Sequence, residues 1–456
     1  MLRFPRCTAL LTLLMTLGLT LGAASPLAAK PLRLVTDPET LDLIDEIAQP
    51  LVAAAGLPKD SVRYYVVLNP TLNAFALADQ RIVFHSGLLA MARNRDELAA
   101  VIAHELAHLA AGHHIKLKSD LRRASIQSLI TMAAGLAAGL ASGNSKAVQA
   151  GMVGGQAAAR SGLLAAMRQK ESQADQLAVN YMGGAHYDPH GVSSFMDLLN
   201  REQRMSVKPP AYLVTHPLGQ ERLSAAEDLV AHAPATTVRP DHQSERLLRA
   251  RAKLMAGTAS DPNAMANHFV ELLKQGRYTA TDPERFAWRY GHALALLYAG
   301  RLLEALEEFN GLLKEAPDDL YILRHRGLTY LEMGDAKRAR RDLRRALAQR
   351  PDHPDLRLRL AQALKADGEP EEAARMLRRL TLEHPDEADP FYVLGVIEGQ
   401  QGRLGASHLA LARYYALLLQ RKNARWHYQQ ALQKLPEKDP ARALIKAELK
   451  ELKEKE

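Results

Sequence analysis

Cysteine is almost missing. The chain of 456 residues has one, Cys7, inside an uncharged N-terminal run. Disulfides are therefore excluded as a stabilising device, and any metal ligand must come from His, Asp or Glu. Cys7 also precedes the apolar heart of its run, so it is not placed as a lipid-modified cysteine at a cleavage site would be. Apolar runs long enough to cross a bilayer are scarce beyond residue 29. The stretch 126–141 has sixteen residues, Gln127, Ser128 and Thr131 among them, against the roughly 20 that a spanning helix needs. What the chain does have is a globular balance, 47% hydrophobic and 24% charged, and a length that calls for about two or three domains.

The N-terminus carries Arg3 and Arg6, an uncharged run over 7–29 with an apolar heart over 9–21, and small residues at Ala23-Ala24 and Ala28-Ala29. This order predicts an export signal over 1–29, cleaved after Ala24 or Ala29, with an uncleaved membrane anchor as the rival. The formal charge is +8, and losing the two arginines leaves the chain basic. A basic exported chain suits a solvated surface, lipid headgroups or acidic polypeptide, and nucleic acid is not expected as a partner.

The stretch 101–114 is the focus of the sequence. It contains His104-Glu105-x-x-His108, and positions four apart share one helical face, so both histidines can hold one metal ion with Glu105 at its open position. The bland reading is an amphipathic helix. Ala103, Leu106, Ala107, Leu109 and Ala110 argue against it, because apolar neighbours would make unliganded polar groups costly to bury. Zinc is the metal expected, one per chain.

Helical spacing of Leu41, Ile44, Ala48 and Leu51 after Asp37-Pro38 predicts a helix that opens the fold. The β-branched and aromatic runs 62–68 and 81–85 predict two strands, and a strand beside the metal helix could pair with an extended substrate if its edge is free. Residues 119–165 are rich in Ala and Gly, with Gly135, Gly139 and Gly143 four apart. Close helical packing or a mobile flap is favoured there, with contact at a membrane interface as the third reading.

Farther along, Glu171 and Asp175 are again four apart. Two carboxylates on one helical face are usually solvated, but here they supply what the motif lacks: Glu171 as third metal ligand and Asp175 as the partner that fixes a histidine tautomer. His114 is the rival ligand, six residues after His108. The three-histidine class needs glycine three residues after the second histidine, and that position is Ala111. His113 and His114 are expected instead to end the helix, where basic groups meet the negative end of the dipole. A last local feature is His216-Pro217 followed by Arg222. From the residues alone a loop histidine before proline reads as structural; the functional alternatives are that His216 donates to a tetrahedral intermediate or occupies the open metal position, with Arg222 orienting a carboxylate.

Past 231–242, a linker, the pattern becomes periodic. Ala293, Gly327, Ala361 and Gly395 repeat every 34 residues, as do Gly300, Gly334, Gly368 and Gly402, and Pro317, Pro351 and Pro385. This is the tetratricopeptide pattern, with small residues where helices cross and proline where a repeat ends. The fourth repeat decays, Ser407 standing for the alanine and Leu419 for the proline, and a similar series resumes at Ala424. The basic run 337–345 reads as a solvated face or a docking surface for acidic partners.

Together His104-Glu105-x-x-His108, Glu171-x-x-x-Asp175, His216-Pro217, Arg222, Asn73-Ala74-Phe75 and Ser86-Gly87 resemble the zinc metallopeptidases related to HtpX and the CAAX prenyl proteases over about residues 40–230. The resemblance implies an α+β gluzincin-type metallopeptidase domain, helices with a small sheet, holding zinc through His104, His108 and Glu171. Glu105 would be its catalytic base, with Asp175 and His216 in supporting roles. An all-α tetratricopeptide-repeat solenoid follows. The expected divisions are 1–29 signal, 30–230 peptidase, 231–242 linker and 243–456 repeats. This order of parts is similar to that of periplasmic proteases of Gram-negative bacteria. It implies a periplasmic endopeptidase in assembly and quality control of outer-membrane β-barrel proteins. Unfolded or misassembled barrels would be its substrates, and the repeats would touch the assembly machinery. The competing class is a chaperone-like scaffold with a latent protease site.

Overall fold

The computed structural model describes residues 33–113, 145–205, 210–279 and 281–454. The expected export signal, His114 and most of the Ala/Gly-rich stretch lie outside them.

Helix α1, Pro38–Ala54, starts where Asp37 caps it, the carboxylate accepting from the Thr40 amide at 2.9 Å. Proline in the first turn costs no hydrogen bond. The following sheet has three strands, one more than the periodicity predicts: β1 Arg63–Val67, β2 Ala74–Leu77 and β3 Arg81–His85. Their order is β1-β3-β2, with β1 parallel and β2 antiparallel to the central β3. The outer edge of β1 is covered by residues 33–35, which bridge to Val66, Val67 and Leu68. The open edge among the described residues is therefore that of β2.

Helix α2, Ser86–Met91, begins directly on β3. A Cβ at Gly87 would stand 2.2 Å from the Pro70 carbonyl oxygen, so only glycine permits this approach. Ser86 completes the junction, its hydroxyl donating to the Asn69 carbonyl at 2.9 Å. Helix α3, Arg95–Ala110, carries the metal motif. Asn94 caps it by accepting from the Glu97 amide at 2.9 Å, and nearly every residue from Leu98 to Ala107 is buried. A helix buried on all faces belongs at the centre of a domain. Around it lie α4 (Ser145–Gly184), α5 (His190–Met205), the single turn α6 (Ala211–Thr215) and α7 (Gln220–Ala231).

Helix α8, Gln243–Thr258, joins the two parts of the chain. Leu247 and Ala250 belong to the core around α3, and Ala252 and Ala256 to the core of the repeats. The junction is ionic as well. Lys253 meets Asp37 at 2.6 Å and Glu39 at 2.9 Å, Arg249 meets Glu39 at 2.7 Å and Asp319 at 2.5 Å, and Asp42 accepts from Tyr321, Arg350 and His353.

Helices α9 (Pro262–Gln275), α10 (Pro283–Tyr298), α11 (Leu302–Glu315), α12 (Leu320–Glu332), α13 (Ala336–Gln349), α14 (Pro354–Ala366), α15 (Pro370–Glu383), α16 (Ala388–Gln400), α17 (Leu404–Leu417), α18 (Arg421–Lys434) and α19 (Ala441–Glu454) form the solenoid. Gly300, Gly334, Gly368 and Gly402 all sit at φ between 74° and 83°. Each ends the first helix of a pair, and the next amide reaches back, as Arg301 does to Leu296 at 2.9 Å, the Schellman geometry that glycine favours. The crossing positions are as tight as expected. A Cβ on Gly327 would stand 2.9 Å from Leu343 Cγ.

Leu419 corrects the reading of the fourth repeat. It does not take the proline's place at the end of a pair; it has φ +59° and stands at a within-pair turn, with Gln420 reaching back to Tyr415 at 2.9 Å. Helix α17 is thus shared, the second helix of one pair and the first of the next. That sharing is why the repeat pattern resumes half a period later.

Candidate metal centre

Three segments converge on one point. Helix α3 brings His104, Glu105 and His108; α4 brings Glu171 and Asp175; the end of α6 brings His216. One ligand atom from each of His104, His108, Glu171 and His216 lies within 4.8 Å of the others. His104 Nε2 and His108 Nε2 are 3.0 Å apart, and each faces Glu171, at 3.3 and 3.4 Å. Two imidazoles and a carboxylate directed at a single point are a donor set suited to a divalent ion such as zinc.

The supporting contacts are as specific. His104 Nδ1 lies 3.0 Å from Asp175, so its ring proton is held there and Nε2 keeps its lone pair for the centre. Arg222, in the first turn of α7, grips Asp175 through Nε at 2.6 Å and Nη2 at 2.8 Å, and its Nη1 is 2.9 Å from Glu171. One guanidinium thus fixes both carboxylates. Burial opposes the charge on Asp175, but Arg222 and His104 outweigh it and hold its carboxyl below the usual range. Burial likewise works against the charged form of His104, yet Asp175 and Glu171 raise its pKa to about 9. His108 goes the other way, to about 2, through burial and the neighbouring charge of His104.

Glu105 is buried, and its Oε1 has no hydrogen-bond partner. A buried carboxylate oxygen left unmatched costs free energy unless another group faces it. This orphan oxygen lies 3.5 Å from His216 Nε2, at the edge of the cluster. The donor set and the orphan together fit a hydrolytic metal site.

His216 lies inside the cluster. Its Nδ1 is 3.1 Å from both Glu171 oxygens and 3.3 Å from His104 Nε2. Tyr212 holds the ring in place, stacked at 4.5 Å between centroids, and the Tyr212 amide donates to the Leu72 carbonyl at 3.1 Å. Tyr212 carries no motif, so sequence reasoning passed over it. His113 was misplaced. The helix ends at Ala110, Gly112 turns the chain at φ +64°, and His113 folds back so that its Nδ1 is 2.9 Å from His108 Nδ1. Standing three residues beyond the helix, it is a partner of the site.

Among the described residues no helix is long and apolar enough to cross a membrane. The model of peptidase family M48 matches residues 39–230, and a tetratricopeptide repeat model matches 330–394. Similar proteins include the β-barrel assembly-enhancing proteases of Yersinia pestis, 28% identical over 84% of this chain and 77% of that one, and of Escherichia coli K12, 27% identical over the same shares. The mitochondrial metalloendopeptidase OMA1 of Schizosaccharomyces pombe is 26% identical over 43% of this chain and 54% of its own. Among solved structures, a tetratricopeptide repeat protein of Parabacteroides merdae is 17% identical, covers 56% of this chain and 98% of its own, and has a TM-score of 0.32, too distant to bear on the site. Residues 39–230 are thus a peptidase family M48 domain, a metallopeptidase unit followed along the same chain by tetratricopeptide repeats.

Proposed function

We propose that the chain is a zinc endopeptidase of the periplasm that acts in assembly and quality control of outer-membrane β-barrel proteins and degrades misassembled ones. The observation that carries the hydrolytic reading is the convergence of His104, His108 and Glu171 beside the orphan oxygen of Glu105. The substrate class rests on the relatives named β-barrel assembly-enhancing protease, similar over both parts of the chain, and the compartment on the export signal expected over residues 1–29.

In this reading His104, His108 and Glu171 hold the ion. Zinc supplies a Lewis acid for the scissile carbonyl and the attacking water. Glu105 takes the proton from that water and delivers it to the leaving amine, a transfer suited to a buried carboxylate with one unmatched oxygen. Asp175 keeps the His104 proton on Nδ1, and Arg222 keeps Asp175 ionised and holds both Asp175 and Glu171 in place. The open edge of β2 is suited to pair with an extended substrate through backbone hydrogen bonds, which gives affinity with little sequence preference. The repeats would present unfolded chains or dock on the assembly machinery.

His216 adds regulation to this scheme. Standing 3.1 Å from Glu171 and 3.5 Å from Glu105, it fills the space where substrate carbonyl and water would meet. In this reading His216 is a latch and the site is latent at rest; its rival role is to donate to the tetrahedral intermediate. That closure also supports the scaffold reading, and one substitution separates the two. Glu105→Gln should retain zinc yet lose cleavage of a misassembled β-barrel protein in a time course; equal cleavage would sink the peptidase assignment, and full rescue of a deletion strain by the variant would favour the scaffold.

A further inference from the structure

We infer that His113 is a positioning residue that fixes the metal-competent tautomer of His108, as Asp175 does for His104. The inference rests on the metal reading given above. His108 Nε2 faces the cluster, 3.0 Å from His104 Nε2 and 3.4 Å from Glu171. To ligate, that nitrogen must carry a lone pair, so the proton of the neutral ring has to sit on Nδ1. The atom placed to receive it is His113 Nδ1, at 2.9 Å. His113 can accept there only if its own proton is on Nε2, and Nε2 lies 3.2 Å from Gln173 Oε1, an acceptor. One direction of donation satisfies the whole chain: His108 Nδ1–H to His113 Nδ1, then His113 Nε2–H to the Gln173 carbonyl oxygen.

The backbone supports this geometry. Gly112, in the left-handed region, reverses the chain after α3 so that His113 returns over His108. Lys170 Nζ holds the His113 carbonyl at 3.3 Å, and His113 is buried. Gln173 and Lys170 belong to α4, the helix that carries Glu171, so one element sets the third ligand and the outer partner of the second. His113 touches neither substrate nor metal in this arrangement and acts through His108. Partners of this kind are worth about 10–100-fold in metal affinity.

The test uses the full chain and zinc itself, with affinity read by chelator competition and not by cleavage. His113→Leu, checked for intact fold by circular dichroism, should bind zinc about 10–100-fold more weakly than wild type. His113→Asn, whose amide oxygen can stand near the lost Nδ1 acceptor, should recover most of that loss. Long-range proton–nitrogen spectra of the zinc-loaded wild type should place the ring proton of His108 on Nδ1 and that of His113 on Nε2, and this measurement holds even if the leucine variant misfolds. Wild-type affinity in His113→Leu, an Asn variant as weak as the Leu variant, or a His113 ring proton on Nδ1 would each overturn the inference while leaving the metal reading intact, whereas a His108 proton on Nε2 would remove His108 as a ligand. A wild-type chain that binds no zinc would instead remove the metal reading, and this inference with it.

Discussion

Arg222 and Asp175 form a two-pronged pair, Nε to Oδ2 at 2.6 Å and Nη2 to Oδ1 at 2.8 Å, under α7 and almost closed to solvent. The pair joins the third-ligand helix to the segment that bears His216. Removing the guanidinium leaves the two buried carboxylates, Asp175 and Glu171, to share His104 as their facing cation. Breaking a buried pair on one side costs about 3–5 kcal/mol, so Arg222→Ala should shift the denaturant midpoint of the peptidase domain strongly downward, read by circular dichroism. Arg222→Lys keeps the charge but cannot make both bonds and should fall between the two. An Ala variant within about 1 kcal/mol of wild type would mean that the pair contributes little.

His216→Ala should raise basal cleavage. The histidine stands beside Glu105 and Glu171, and on the proposed latch reading its release is the step that the substitution makes unnecessary. Couplings of this kind are typically worth about fivefold or more, so a steady-state assay on an unfolded β-barrel substrate should show at least that increase. Tyr212→Ala, which removes the ring stacked on His216 at 4.5 Å, should raise activity in the same direction by a smaller factor. A fall to background in His216→Ala would assign the residue to stabilising the oxyanion.

Zinc uptake should release about one proton per site near neutral pH. In the metal-free protein, burial disfavours the charged His104, yet Asp175 and Glu171 hold its pKa up at about 9, whereas burial and the charge of His104 hold His108 down at about 2. A raised pKa stabilises the metal-free form fully below the ordinary histidine pKa of about 6.5, and that advantage is lost as pH rises through about 9. Protons therefore compete with zinc at His104 but not at His108. Affinity should fall about tenfold per pH unit below 9. Calorimetry in two buffers of different ionisation enthalpy measures the proton count, and a count near zero would contradict the charge assigned to His104.

The sequence and the structure part company in instructive places. His104, Glu105, His108, Glu171 and Asp175 were legible because helical spacing converts positions four apart into a shared face, a property of the local chain alone. The solenoid was legible because its glycines and prolines recur every 34 residues and each has a fixed backbone duty. Strand β2 was not, since Ala74–Leu77 is four residues long with no alternation and becomes a strand only against β3. His113 was misread because its role depends on the turn at Gly112, which reverses a chain that the pattern would continue. Tyr212 matters only through a ring stacked on His216, and no periodicity marks such a contact.

The ionic junction between the two parts was equally hidden, because the partners of Asp37, Glu39 and Asp42 are more than two hundred residues away, and it yields a last prediction. Lys253 holds Asp37 at 2.6 Å and Glu39 at 2.9 Å, and Glu39 is completely buried. Lys253→Met keeps the apolar stem and removes the charge, so it leaves Glu39 to Arg249 alone and Asp37 with the Thr40 cap. The expected cost is about 3–5 kcal/mol, and it falls on the seam between the domains. Helix α8 lends Leu247 and Ala250 to one core and Ala252 and Ala256 to the other, so loosening that seam should uncouple them. Wild type should unfold in one calorimetric transition. The variant should show two, with limited proteolysis opening near residues 231–242. A single transition at the wild-type temperature would show that apolar packing along α8 holds the domains together without the ion pairs.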